Sequence, residues 1–200
     1  LNPNCNPIGD YFFENTGGRF QEIARLVGLQ DYGMGRGSVV FDYDKDGDLD
    51  ILVVNQEAIC PEYPASSVTR LYRNDSKTGN WISVALQGAD AESNGIGSRV
   101  KLVVGKTAMI REIDGGGSSH VSQNSIHAHF GIGSSELIDS LIVQWTGGNT
   151  QVLTNVKANQ FLVIKEIPKP AKKMKWIYWL IGFGIVMAGF SVWVLRKKKS

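Results

Sequence analysis

A carboxylate stands at every second position of one short run, Asp42-Tyr43-Asp44-Lys45-Asp46-Gly47-Asp48-Leu49-Asp50. Carboxylate oxygens at positions 1, 3 and 5 of such a loop, a backbone carbonyl at 7 and a carboxylate at 9 can converge on Ca²⁺ at about 2.3–2.6 Å. Glycine occupies position 6, where the backbone must bend sharply and a Cβ would obstruct it. Without a cation, these like charges would repel one another. We therefore predict a calcium site formed by Asp42, Asp44, Asp46, Asp48 and Asp50.

The segments on both sides of this loop indicate that it connects two β-strands. Ser38–Phe41 and Ile51–Val54 are apolar and rich in β-branched residues. An EF-hand loop needs a bidentate carboxylate at position 12, but Val53 stands there. The other alternative is a solvated acidic turn, which does not explain why glycine coincides with the position that must bend.

The first part of the chain contains two similar aromatic segments. Residues 11–20 and 70–81 each combine aromatic residues with a polar, glycine-containing turn. Their spacing of about sixty residues suits one blade of a β-propeller, and repeats of this kind cannot bury their faces alone. We therefore predict that residues 1–80 form a calcium-binding blade at the end of a longer array.

Residues 81–166 contain short strand-like runs separated by glycine-rich turns, with no helical period of useful length. The runs are Trp81–Leu86, Arg99–Val104, Met109–Ile113, Ser125–Phe130, Leu141–Trp145, Gln151–Leu153 and Phe161–Ile164. Such spacing is typical of a β-sandwich or barrel. The expected fold class is all-β, followed by one C-terminal helix.

That helix has the composition of a membrane anchor. Residues 167–175 are a linker rich in proline and lysine, and residues 176–195 carry no charge. At 1.5 Å per residue, they match a bilayer core of about 30 Å, and aromatic residues stand near both ends. Basic residues flank both ends of this segment, so charge does not decide which end is cytoplasmic. We infer the orientation instead from the calcium loop, because calcium is abundant outside the cell. We predict an extracytoplasmic domain, at the cell surface or in the periplasm, and a cytoplasmic tail at residues 196–200.

The charge pattern argues against nucleic-acid binding. Nine of the twenty-one lysines and arginines lie in the last thirty-six residues. They bracket the apolar run instead of alternating with exposed aromatic residues.

Cysteine and histidine offer two further candidate sites. Cys5 and Cys60 are the only cysteines; a disulfide between them and two free thiols both remain open. His120, His127 and His129 lie within ten residues. If His127 and His129 share a strand they face the same side, which would suit zinc or copper. The alternative is a histidine hydrogen-bonded to the backbone.

Two parts of the chain resemble known families. Gly33-Met34-Gly35, the acidic loop with Ile51, and Asn55 resemble an FG-GAP or VCBS-type repeat of integrin-like β-propellers. A second set of segments resembles the ASPIC/UnbV domain: Asn94–Val100, Arg111-Glu112, Gly115, Ser122-Gln123, His129–Gly133 and Val143–Trp145. Together these resemblances cover residues 10 to 166. They imply an extracellular or periplasmic protein related to the cartilage acidic protein group and carry over no catalytic residue. A closed propeller needs at least about four blades, and one full calcium loop is present here.

No Gly-x-Ser-x-Gly elbow or other catalytic spacing is found in the sequence. We therefore predict a membrane-anchored, calcium-stabilised binding or adhesion module that recognises a glycan or a protein partner and is not an enzyme. The alternative is part of a larger surface enzyme, such as a hydrolase, in which the histidines hold a transition metal.

Overall fold

The structure is a computed structural model that describes residues 9–56, 68–76, 79–116 and 121–169. All of its strands lie in the first of two compact units, Leu1–Pro168. The described residues form twelve β-strands and no helix, so the prediction of an all-β fold is confirmed for them.

The N-terminal strands form two small antiparallel sheets. The first is the hairpin of β1 (Phe13–Asn15) and β2 (Phe20–Glu22). The second has the order β3-β4-β5 and consists of β3 (Met34–Phe41), β4 (Asp50–Gln56) and β5 (Arg70–Tyr72). Phe41 pairs with Asp50, so the acidic loop closes the β3–β4 hairpin, as predicted.

The remaining strands form two larger sheets. A four-stranded sheet of order β11-β10-β7-β8 contains β7 (Arg99–Val104), β8 (Thr107–Glu112), β10 (Leu137–Gln144) and β11 (Thr150–Lys157). A three-stranded sheet of order β12-β6-β9 contains β6 (Asn80–Gln87), β9 (Ala128–Gly133) and β12 (Gln160–Lys165). All seven predicted runs correspond to strands.

The bounds of one predicted run are wrong, because Ser125–Phe130 stops before Gly131-Ile132-Gly133. These residues belong to β9, where Gly131 pairs with Trp81 of β6. Pairing with a neighbouring strand has outweighed the weak β-propensity of glycine.

The two larger sheets enclose one hydrophobic core. Alternate residues Ile82, Val84 and Leu86 of β6 point inward and meet the four-stranded sheet. The other sheet contributes Val100, Leu102, Ile138, Leu141 and Val143, each 0% exposed. This arrangement is a β-sandwich.

Glu166 ties the end of β12 to the loop that follows β6. Its buried carboxylate accepts hydrogen bonds through Oε2 from the backbone N–H groups of Ala89, Asp90 and Ala91, at 2.9, 2.9 and 2.8 Å. The bond from Ala91 is the largest cause that holds the pKa of Glu166 below its ordinary value. The ionised carboxylate is therefore part of the fold.

The N-terminal sheets have little core of their own. Ala24 is the one buried hydrophobic residue among described residues 9–76, whereas thirteen of the twenty exposed large hydrophobic residues lie there. Five of these thirteen lie in β1–β5 and the other eight in the segments beside them, so much apolar surface is uncovered in the part of the chain that the structure describes.

Several predicted features lie outside the described residues: Cys5, Cys60, His120, the helix 176–195 and the tail 196–200. Within the described ranges, no helix has the length and apolar character needed to cross a membrane.

Candidate calcium-binding site

Three carboxylates of the acidic loop converge. Asp42, Asp44 and Asp50 each offer one oxygen, and these three oxygens lie within 4.8 Å of one another. The hairpin explains the convergence, because Asp42 follows the last residue of β3 and Asp50 begins β4. The structure thus brings together three of the five predicted ligands.

The other two predicted ligands lie outside this group of three. Asp46 is exposed and accepts a hydrogen bond through Oδ1 from the backbone N–H of Asp48 at 3.0 Å, so it shapes the turn. The loop reverses through two residues with positive φ, Lys45 at 63° and Gly47 at 99°. Gly47 donates its N–H to Oδ2 of Asp42 at 3.0 Å. Glycine is needed there because an L-residue rarely adopts that φ.

Asp50 anchors the loop. The residue is 0% exposed; its Oδ2 accepts the N–H of Tyr43 at 2.9 Å and its Oδ1 accepts the N–H of Asn74 at 2.8 Å. These bonds join the loop to the segment after β5. Each carboxylate oxygen has two lone pairs, so Asp50 keeps the capacity to bind a cation as well.

One side-chain oxygen of Asp42 lacks a hydrogen-bond partner. Its Oδ1 is buried and has no hydrogen-bond partner. Burial raises the pKa of Asp42, backbone hydrogen bonds from Gly47 and Lys45 oppose that effect, and the charges of Asp46 and Asp50 reinforce it. A buried carboxylate oxygen without a partner is costly, and a cation would provide the partner. An all-oxygen donor set of this kind fits a hard cation such as Ca²⁺.

The histidines do not form a comparable group. His127 is exposed in the bend before β9, and His129 is half-buried within β9. No group of three potential metal ligands in the described ranges includes either of them, and His120 falls outside those ranges. The ring of His129 stacks on Trp81 with a centroid distance of 5.9 Å. Burial is the largest cause of its lowered pKa, and its Nδ1 is buried without a hydrogen-bond partner.

A second polar cluster holds the opposite end of the β3–β5 sheet, and sequence reasoning missed it. Asp31 is 4% exposed, and its Oδ2 accepts Nδ2 of Asn55 at 2.7 Å and Nε of Arg70 at 3.0 Å. Burial raises the pKa of Asp31, but hydrogen bonds from Asn55 and Gly33 and the charge of Arg70 outweigh it and lower the pKa. Asn55 had appeared only as part of a family resemblance, and no local pattern marks Asp31.

The acidic loop faces the outer surface of the three-stranded sheet. A cleft of about 730 Å³ lies between them, lined by Asp42, Asp48, Trp81, Arg111, His129 and Phe161, among others. The candidate cation site therefore borders both the N-terminal sheet and the β-sandwich.

Comparison with known proteins finds a family similar to most of the β-sandwich. Residues 88–171 match the family described as ASPIC and UnbV. The matched segment begins directly after β6, although β6 is the central strand of the three-stranded sheet.

The chain is also similar to cartilage acidic protein 1 from Homo sapiens, at 31% identity over 145 residues, which is 71% of this chain and 20% of the relative. For the Mus musculus protein the identity is 30% over 150 residues, or 74% of this chain and 22% of the relative. The chain spans about a fifth of the length of these curated relatives. The chain is therefore similar to the ASPIC and UnbV family over residues 88–171 and to the cartilage acidic protein 1 group, which supports that part of the sequence resemblance.

Proposed function

We propose that the chain is a calcium-stabilised, non-catalytic binding module, anchored in a membrane with its β-domains on the extracytoplasmic side. The observation that carries the calcium proposal is the convergence of the Asp42, Asp44 and Asp50 carboxylates. The buried, unpartnered Oδ1 of Asp42 supports it. A divalent cation there would offset the repulsion among the carboxylates and join the end of β3 to the start of β4.

The setting of the site favours an extracellular calcium range. Asp44 is exposed and no glutamate supplies a bidentate ligand at position 12 of the loop, so the site is open on one side. Calcium modules that work outside the cell bind with dissociation constants of about 10⁻⁴–10⁻³ M. At such affinities the ion acts as a structural component where calcium is plentiful.

We further propose that β1–β5 are part of an FG-GAP or VCBS-type propeller. The support is the exposed apolar surface of these strands and the residues beside them, which includes Tyr11, Phe13 and Phe20 at 66%, 55% and 72% exposure. Exposed aromatic residues in this number are typical of a repeat that packs against a neighbouring repeat.

We assign recognition of a glycan or protein partner to the surface that these β-domains form. No observation favours the alternative, a transition-metal site in a surface enzyme. His127 and His129 lack a third ligand among the described residues, whereas the three aspartates have the oxygen chemistry of a hard-cation site.

Calcium binding is tested by isothermal titration calorimetry and by thermal unfolding with calcium or with a chelator. We expect calcium to raise the midpoint of the wild-type chain, since a ligand that binds only the folded state stabilises it. Asp44→Asn should abolish both the heat of binding and the shift. The matched control is Glu136→Gln, which removes one exposed negative charge far along the chain. If the wild type and Asp44→Asn respond equally to calcium, the proposed site is wrong.

The anchor and the partner need separate tests. Deletion of residues 176–200 should move the protein from the membrane fraction to the soluble fraction; a truncated chain that remains an integral membrane protein would contradict the anchor. Binding to immobilised glycans and to matrix proteins should require calcium. Partner binding that Asp44→Asn leaves unchanged would disprove the link between the site and recognition.

A further inference from the structure

The acidic loop touches the β-sandwich through a backbone contact. Gly47 is buried, and a Cβ at this position would overlap Nε1 and the adjoining ring atoms of Trp81. The indole is held from other sides as well, by the stacked ring of His129 and by the edge of Phe161 at a centroid distance of 4.8 Å. Neighbouring rings thus hold Trp81 in place, and the middle of the acidic loop packs against it.

A second contact lies along the free edge of β3. This strand is at the edge of its sheet, and two of its backbone N–H groups donate to the segment before β9 instead of to a strand. Ser38 donates to Oγ of Ser122 and Val40 donates to Oδ1 of Asn124, both at 3.0 Å. Edge amides of this kind would otherwise be open to water or to another chain. Their protection from exchange therefore reports whether the N-terminal sheet is docked on the sandwich.

The candidate cation site links these two contacts. Asp42 directly follows β3, and its Oδ2 accepts the N–H of Gly47. A cation held by Asp42, Asp44 and Asp50 would fix the end of β3 and the position of Gly47 together. Without it, repulsion among the three carboxylates favours a wider loop, which would withdraw Gly47 from the indole.

We propose that calcium acts as a latch between the N-terminal sheet and the β-sandwich, with Trp81 as the residue through which the sandwich senses the loaded loop. This inference rests on the proposed calcium binding. It adds that the ion changes the docking of two parts of the chain, because it stabilises the docked arrangement more than the undocked one. Trp81 is a positioning residue here and is not a ligand of the ion.

The test is amide hydrogen exchange at Ser38 and Val40 in the full chain, resolved by NMR, with calcium and with a chelator. In the wild type, calcium should slow exchange of both amides by about tenfold or more, since exchange reports the free energy of local opening. In Trp81→Ala the loop should still bind calcium by calorimetry, but the slowing should be lost. Trp81→Phe, which keeps an aromatic core and removes the indole nitrogen edge that meets Gly47, should show a reduced response if Trp81→Ala does not fold.

Val163→Ala is the matched control, because Val163 lies in β12, two residues from Phe161, and is 58% exposed. It should respond to calcium as the wild type does. If calcium binds but leaves both amides unchanged, or if Trp81→Ala and Trp81→Phe both respond like the wild type, the latch is wrong while calcium binding stands. If the wild type binds no calcium, both proposals are wrong.

Discussion

Replacement of Gly47 by alanine probes the contact between the acidic loop and Trp81 with a single methyl group. Gly47 has a φ of 99°, and an L-residue in such a conformation is strained by about 1–2 kcal/mol. The methyl group would also overlap the indole of Trp81, and adding a methyl group to a filled space typically costs about 1–3 kcal/mol more. We therefore expect Gly47→Ala to lower the free energy of unfolding by about 2–5 kcal/mol.

Gly18→Ala separates these two contributions. Gly18 has a φ of 102°, and nothing lies within 4 Å of the position its Cβ would occupy. This variant should lose only the conformational part, about 1–2 kcal/mol. Urea unfolding of both variants and the wild type at one calcium concentration gives the two losses. In a Trp81→Ala background, Gly47→Ala and Gly18→Ala should lower the free energy of unfolding by the same amount. Equal losses when Trp81 is present would refute the contact.

Three further variants test the polar framework, each by denaturant unfolding. Asn55→Ala removes the amide that bonds a buried carboxylate and a backbone carbonyl and should cost about 2–4 kcal/mol; a loss below about 1 kcal/mol would contradict its role. Because the pKa of Glu166 is lowered in the fold, its contribution to stability is full above the ordinary glutamate pKa and is lost as pH falls below about 4. Glu166→Gln should therefore flatten the acid limb of the stability profile relative to Glu136→Gln, and parallel profiles would argue against it. In chelator, Asp50→Ala should lower the free energy of unfolding by about 1–3 kcal/mol for each of the two backbone N–H groups that lose their acceptor. Asp44→Asn should be nearly neutral under the same conditions. Similar losses in the two variants would show that the two aspartates do not differ in role.

Local patterns were sufficient to predict nine of the twelve strands and the position of the loop. β7 has the predicted bounds, Arg99–Val104, because alternating apolar residues between turn signals specify a strand without reference to its partners. The acidic loop was likewise predictable, since ligand spacing and the turn-forming glycine lie within nine consecutive residues. Both signals depend only on neighbours in sequence.

Contacts between distant segments could not be predicted in the same way. β12 pairs in parallel with β6, about eighty residues earlier, and no local feature of either strand specifies that partner. The hydrogen bond between Asp31 and Asn55 also joins distant segments, and so does the packing of Gly47 against Trp81. Each depends on how the sheets come together, so the sequence pattern identifies the polar or small residue but not what it meets.

The acidic loop shows why five alternating aspartates need not have five equal roles. Hydrogen bonds to Asp46 and Asp50 already shape the turn and fix it to the segment after β5. This framework places Asp42 and Asp44 beside Asp50 and leaves one buried oxygen of Asp42 without a partner. A cation would thus act on a loop whose path is largely set, and its main effect would be to oppose the repulsion that loosens the loop. Because Gly47 lies within this loop and against Trp81, the proposed latch would transmit such tightening to the β-sandwich.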